Sequence, residues 1–476
     1  MRVKISVFCV LMMLMIKTSA QQEQGATLTL QQSIEIAVKN NLDVKQSEFA
    51  MQTAGITSRQ AKTNMLPDLN GIISHGINQG RSIDPFTNSY INQQINFANY
   101  NLSTGVTIFN GFQLLNTMKQ QALNYDAAKM ELQQTRDNIT LMVILAYLQV
   151  LSGEDQLTQS MNQAALSKTQ VERLEKLNQQ GAIAPALLYD LKGQLANDEL
   201  AIVNGRNSLD AAKLTLSQLM NVPFDKNLKV ERLTADQLSL VYEGDVESIF
   251  QSAMSQLAII KAADYRRQSA ERGVKAAKGG YTPSIFLSGN LNTNYSSGAR
   301  TESLVNVVDV ATNDYIIVNG SKYNVQSPQS NFVSQKISYS DQFKNNYSTS
   351  VAIGVRIPII NSFFARNQVA QAKINLKNAE FISKSTQTQL RQSIEQAYFN
   401  MKAAQERYRV LQDQVAAFTE SYRAAEVRFN AGLGTSVDYL VARTNLDRAN
   451  INLVNARYDY VLRTKVLDYY QSKPLW

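Results

Sequence analysis

The chain carries one pattern twice. Shifted by 216 positions, Ala37, Lys45, Ala54, Ala61, Lys62 and Pro67 fall on Ala253, Lys261, Ala270, Ala277, Lys278 and Pro283. Shifted by 251, Asn110, Gln120, Ala128, Ala146, Tyr147, Gly181, Leu195, Asn204 and Leu216 fall on Asn361, Gln371, Ala379, Ala397, Tyr398, Gly432, Leu446, Asn455 and Leu467. A duplication on this scale predicts a pseudo-symmetric fold and not a string of unrelated domains. The first repeat is expected over residues 21–220, a connector over 221–245 and the second repeat over 246–476. The offset jumps by 35 residues between Pro283 and Asn361. The extra length is therefore expected in a polar insert, residues 296–342, rich in Asn, Ser and Tyr, with a small hairpin around Val305–Val318.

Residues 1–20 read as a secretory signal. Arg2 and Lys4 precede the apolar run Ile5–Ile16, which is too short to span a bilayer and ends in small residues. Cys9, the only cysteine, leaves with the leader, which excludes disulfides and thiolate metal sites in the mature chain. Losing Arg2, Lys4 and Lys17 lowers the net charge from +8 to +5. The remaining basic residues alternate with acids at helical spacing, so no nucleic-acid partner is expected.

Helical periodicity dominates. Residues 30–66 read as one helix, with Leu30, Ile34, Ala37, Val38 and Leu42 on one face and Thr29 with Gln32 as a capping box. Asp245 takes the cap position in the repeat. From Phe112 to Gln180 there is no proline, and residues 363–430 contain neither proline nor glycine. A helix of that length spans about 100 Å at 1.5 Å per residue, which suits a coiled coil better than a globular core. Return helices are expected from Pro185 to Met220 and from Ser436 to Gln471, with tips at Gly181–Pro185 and Gly432–Ser436.

Between the helices the period switches to two. Residues 98–109 place Tyr100, Leu102, Val106 and Ile108 on one face, opposite Asn99, Asn101, Ser103 and Thr107. Residues 285–295 place Leu287 and Leu291 opposite Ser288, Asn290, Asn292 and Asn294. Residues 343–357 place Phe343, Tyr347, Val351, Ile353, Val355 and Ile357 opposite Lys344, Asn346, Ser348, Ser350, Ala352, Gly354 and Arg356. Residues 69–78 alternate more weakly. Such strands fit transmembrane barrel staves, apolar toward lipid and polar toward a lumen; a soluble antiparallel sandwich alternates in the same way. Four strands cannot close a membrane barrel, and an open edge in lipid leaves backbone groups unpaired. Membrane strands would therefore have to come from more than one subunit.

The order helix, two strands, long helix, tip, helix, used twice, resembles the outer-membrane efflux protein family, the TolC-like channel-tunnels. The local motifs agree: Leu28–Asp43 resembles the family's first-helix signature, Lys62–Leu69 its helix-to-barrel junction, and Arg428–Leu440 its periplasmic tip. Gly80–Pro85 resembles the first extracellular loop of Bacteroidetes members. The resemblance implies a mixed α and β fold, a homotrimer with a twelve-stranded barrel in the outer membrane of a Gram-negative bacterium, and a periplasmic helical tunnel. It implies docking to a periplasmic adaptor and, through it, to an inner-membrane pump. Phe429 matches the family's tip aromatic and Asp438 an acidic gate position. Gly434 stands where some members have a latching arginine, and Val441 where some have a second aspartate, a position that Asp190 occupies in the first repeat. The Asp438 carboxylate equally suits the first turn of a helix.

No catalytic constellation is present. GxSxG, Walker-type, HExxH and paired-cysteine spacings are absent, so no enzyme, cofactor or metal is expected. His75, the only histidine, sits in the weakest strand at a packing or lumen position. The competing class is a coiled-coil or adhesin-like surface protein, which accounts for the helices but not for the duplicated strands between them.

Overall fold

The computed structural model describes residues 27–83, 88–92, 94–233, 242 and 244–473. The expected signal segment lies outside these, as do parts of the connector and of the Gly80–Pro85 loop. The elements run in the order α1 (Leu30–Asn40), α2 (Leu42–Thr63), β1 (Asp68–Asn78), β2 (Arg81–Ile83), β3 (Tyr90–Asn92), β4 (Ile95–Phe109), α3 (Gln113–Gln179), α4 (Pro185–Met220), α5 (Val246–Gln256), α6 (Ala258–Lys278), β5 (Ser284–Ser296), β6 (Arg300–Val318), β7 (Ser321–Lys336), α7 (Tyr339–Asn345), β8 (Ser348–Arg356), α8 (Phe364–Asn430) and α9 (Ser436–Tyr470). The chain divides into two units. One comprises residues up to Ile56, Leu123–Gln268 and Lys377 onward; the other comprises Thr57–Ala122 and Ser269–Leu376.

The first unit is helical. Its largest apolar cluster joins Leu30, Ala37 and Val44 to Leu132, Val143, Ile144, Tyr147, Leu151, Leu216 and Met220. Tyr147 is fully buried. Its hydroxyl lies between the carbonyls of Leu28 and Glu231, at 2.9 and 2.7 Å, and its one proton is shared between them, which satisfies the polar tip of an otherwise apolar side chain. Leu28 also pairs with Val230 in an isolated parallel bridge, so the described part of the connector is stitched to the start of the fold.

Thr29 and Gln32 form the expected capping box, and Asp245 caps α5. The single helix expected over 30–66 is two. The backbone turns extended at Asn41, whose Oδ1 accepts from the Asp43 amide at 2.9 Å and so starts α2 afresh. Leu257, the position 216 residues on, is extended in the same way between α5 and α6.

The second unit contains an antiparallel sheet of order β1-β4-β5-β8. The turn from β4 into α3 places Gly111 and Phe112 at φ of 64° and 61°. A Cβ on Gly111 would stand 1.8 Å from the Thr282 hydroxyl oxygen, so both the backbone and the space require glycine. The equivalent turn before α8 uses Ser362 and Phe363, at 53° and 59°.

The polar insert differs from its expectation. It is a long two-stranded ribbon, β6 with β7, joined at Asn319–Gly320 with φ of 48° and 85°, and not a small hairpin over Val305–Val318. Positive φ at both central residues is the twist-matched hairpin turn that Asn-Gly favours. The strand expected over 343–357 is also shorter. Residues Tyr339–Asn345 form α7, capped by Ser338, whose hydroxyl oxygen accepts from the Asp341 amide. Phe343 is therefore helical.

Candidate functional site

Two regions carry the residues singled out above: one face of the sheet and the tips of the helical hairpins. In an antiparallel pair, residues directly opposite share a face. Leu102 stands opposite Gly71 and Leu291, Val106 opposite Leu287, Leu287 opposite Ile353, and Ile285 opposite Val355. Val351 is opposite Gly289, which is opposite Thr104. The register thus gathers Tyr100, Leu102, Val106, Leu287, Leu291, Val351, Ile353 and Val355 on one face, with Leu69, Ile73 and Ile77 of β1. Ile108 sits at the register shift between Thr107 and Phe109, and Ile357 one residue beyond β8. Val351, Ile353, Val355 and Ile357 are at least 60% exposed, so nothing in the described chain covers them. His75 belongs to the same face, opposite Ala98.

The other face is an amide and hydroxyl lattice. Asn101 Nδ2 donates to Asn290 Oδ1 at 2.8 Å, and Ser348 Oγ donates to Asn292 Oδ1 at 2.7 Å. Each amide offers both donor and acceptor, so cross-strand pairs satisfy one another and leave further groups for water.

Tyr100 departs from the rest of its face. Its hydroxyl meets that of Tyr339, and its ring packs edge-on against Phe343 at 5.4 Å. Tyr295 stacks obliquely on Tyr339 at 4.7 Å. The short α7 therefore covers the apolar face at the end remote from α3, with Ala98 and Thr293 buried beneath it. Gln342 is 1% exposed; its amide group accepts from the Ser296 amide and donates to the Ser296 and Ile337 carbonyls, clamping the base of the β6–β7 ribbon.

At the tips, Gly181 and Gly432 adopt φ of 68° and 72°, the left-handed conformation that ends α3 and α8. Pro185 occupies the first turn of α4, where its missing amide proton costs nothing. In the second tip Thr435 caps α9: its hydroxyl oxygen accepts from the Asp438 amide at 3.1 Å, while its hydroxyl donates to the Asp438 carboxylate at 2.7 Å. The Ser436 hydroxyl donates to Asp190 at 3.2 Å, which brings the acidic residues of the two tips into one neighbourhood. Gly434 is confined in another way: a Cβ there would approach the Phe429 amide nitrogen to 3.2 Å. Phe429 does not project freely. With Tyr422 and Tyr439 it joins the apolar cluster of Val171, Leu174, Leu188 and Leu191. Burial, then the contact with Tyr439, pushes the Tyr422 hydroxyl well above its ordinary range.

One turn beyond Tyr439 lies a group that sequence reasoning missed. The Arg443 side chain is 2% exposed. Its Nη2 donates to the Gln163 carbonyl at 2.7 Å and to Asp198 Oδ2 at 3.1 Å, and its Nε faces Asp447 at 3.7 Å. Asp198 also accepts from Ser167 and from Gln194, and Asp447 accepts from Gln163. Burial pushes the Asp447 carboxyl up to about 6, and Arg443 offsets this only in part. An Arg four residues before an Asp is the only sequence signal of the cluster, and many exposed helix pairs share it.

Comparison with known proteins agrees with this geometry. The family described as "Outer membrane efflux protein" matches residues 33–222 and 250–468, one segment in each copy of the element order. The outer membrane protein TolC of Vibrio cholerae is 24% identical over 429 residues, covering 88% of this chain and 84% of the relative. TolC of Escherichia coli is 23% identical over 448 residues, covering 91% and 80%. Among solved structures, the Vibrio cholerae outer membrane protein VceC has a TM-score of 0.74 at 16% identity, covering 94% of this chain and 97% of its own. CusC has a TM-score of 0.75 at 15% identity, covering 95% and 96%. The duplicated elements, the one-sided apolar sheet and the paired helical tips thus come together in a chain that belongs to the outer membrane efflux protein family.

Proposed function

We propose that this outer-membrane efflux channel works as a homotrimer. The observation that carries this reading is a four-stranded antiparallel sheet with two open edges, apolar on one face and amide-lined on the other. Open edges in hydrocarbon leave each unpaired backbone group at a cost of several kcal/mol, so the sheet must be completed by further copies. Three copies supply twelve strands, an even number above the eight at which single-chain barrels begin. The apolar face then contacts outer-membrane lipid. The Asn and Ser face lines a wet lumen through which polar cargo passes.

We infer that the helical hairpins form the periplasmic part of the channel. Their tips, built on Gly181–Pro185 and Gly432–Ser436, are the surface on which a periplasmic adaptor docks, and through the adaptor an inner-membrane pump supplies the energy. The channel itself is passive. Asp438 and Asp190 each place a carboxylate at the tips. Mass measurement of the detergent-extracted protein is expected to give three chains, and planar bilayers containing it are expected to conduct; a stable monomer without conductance refutes the reading.

A further inference from the structure

We propose that one face of the β6–β7 ribbon is a docking surface for the other two copies of this chain. The proposal rests on the trimer reading above. β6 and β7 pair only with each other, and a two-stranded ribbon alone in water is marginally stable at best. This one runs roughly 50 Å over the 16 residues of β7, at about 3.3 Å each. Its register sorts charge onto one side. Arg300, Glu302, Asp309, Lys322 and Lys336 share a face, with Leu304 and Phe332 among them. The other face has no charged residue at any paired position. There Val308, Val310, Ile316, Val318, Tyr323 and Val325 are each 39–58% exposed. Asn331 and Asn306 lie between them and satisfy one another, Asn331 Nδ2 donating to Asn306 Oδ1 at 3.1 Å. A long apolar stripe of this kind, exposed and edged by polar groups, marks an interaction surface.

The edges of the ribbon are guarded and this face is not. β6 shifts register at Leu304–Asn306 and again at Ala311–Tyr315, and Pro328 in β7 has no amide proton. Bulges and proline are devices that discourage an added strand. Lipid cannot cover the face either, because the edges would then enter hydrocarbon with unpaired backbone groups. A second copy can. The base of the ribbon is fixed: Gln342 holds it through Ser296 and Ile337, and the Ile337 amide donates at 3.2 Å to the carbonyl of Ala299, a residue 1% exposed. In a twelve-stranded barrel three such bases share one rim, roughly 22–26 Å across for strands about 4.8 Å apart tilted by about 35–45°. Each ribbon is about twice as long as that rim is wide. A lean of only about 10° brings the three charge-free faces to the spacing of about 10 Å at which sheets pack. Copies seated on one rim also meet at high effective concentration, whereas a foreign protein must bind from solution.

The test places single cysteines on neighbouring residues that face opposite ways. Cys9, the only cysteine, is replaced by Ser in every variant. In the detergent-extracted trimer, Val310→Cys and Ile316→Cys are each expected to give several-fold more chain-to-chain cross-link than Ala311→Cys, read on a denaturing gel after oxidation or after a short bismaleimide. Val310→Asp with Ile316→Asp is expected to keep the trimer mass and the conductance while lowering the temperature at which the trimer dissociates. If that double variant does not assemble, the cysteine comparison decides. Assembled trimers that cross-link equally from both faces, or from neither with either reagent, overturn the proposal. So does an unchanged dissociation temperature in the assembled Asp variant. On intact cells, a product joining Val310→Cys to a different protein in place of the chain-to-chain product overturns it as well. A parent protein that extracts as a monomer refutes the trimer reading instead.

Discussion

The rings of Phe429 and Tyr439 lie face to face, with centroids 4.8 Å apart and planes inclined by 18°. They join the end of α8 to the start of α9 across the tip, and Tyr439 continues into the apolar cluster of the first hairpin. The tip aromatic is thus a packing element between hairpins. Phe429→Ala is expected to lower stability by about 2–4 kcal/mol, near the low end of buried phenylalanine truncations because the ring is only half-buried. A double-mutant cycle with Tyr439→Ala should return a coupling of about 0.5–1.5 kcal/mol. Additive losses in denaturant melts would show that the rings merely share a neighbourhood.

A charge on the apolar sheet face tests the membrane assignment. Leu102→Arg or Ile353→Arg is expected to cost about 2–4 kcal/mol if the position lies at the bilayer midplane. Reduced recovery of heat-resistant trimer in the outer-membrane fraction measures it. Arg at Asn101, on the amide face, is expected to assemble normally, and equal tolerance on both faces would remove the distinction between lipid and lumen.

The acidic tip predicts ion preference. In the proposed trimer, three copies of Asp438 would gather like charge at the mouth, which favours cations. Asp438→Asn is expected to shift the reversal potential across a salt gradient toward zero while conserving the Thr435 cap, because an amide oxygen still accepts from the Thr435 hydroxyl. An unchanged reversal potential would confine Asp438 to capping and pass the role to Asp190.

Asp447 predicts a pH signature. Its folded pKa of about 6 lies above the ordinary carboxylate value of 3.8, so between these limits the folded state binds more protons than the unfolded state. Stability therefore falls as pH rises from about 4 to about 6 and is flat above, as far as this group is concerned. Arg443 opposes the shift and Asp198 reinforces it. Asp447→Asn is expected to remove this component from melting curves taken over that range, and an identical pH profile would assign the slope to other groups.

Much of this was legible in the chain itself, and the exceptions have physical causes. The long helices and the tips announced themselves through missing prolines and paired glycines, which act locally. The break at Asn41 did not, because apolar periodicity continues across it, although an asparagine that starts a new helix is a known local device. The full β6–β7 ribbon is hard to read because register shifts near Leu304 and Ala311 destroy strict alternation, and only the Asn319–Gly320 turn marks it locally. Phe343 kept the period of the following strand yet lies on a helix that Ser338 caps. Arg443 could not have been found: its partners Gln163 and Asp198 are distant in sequence, and its burial is a property of three helices together.

The matched breaks at Asn41 and Leu257 differ in what supports them. Asn41 brings its own hydrogen-bonding side chain to the bend; Leu257 makes the same bend with a hydrocarbon that is 3% exposed and has no polar group to offer. In the first copy the bend is written in a residue, and in the second it is enforced by surroundings. Swapping the two residues is thus an asymmetric exchange: leucine at 41 discards a local instruction, whereas asparagine at 257 introduces one where there is only grease to receive it. A duplicated architecture can in this way keep a shape after one copy has lost the word for it.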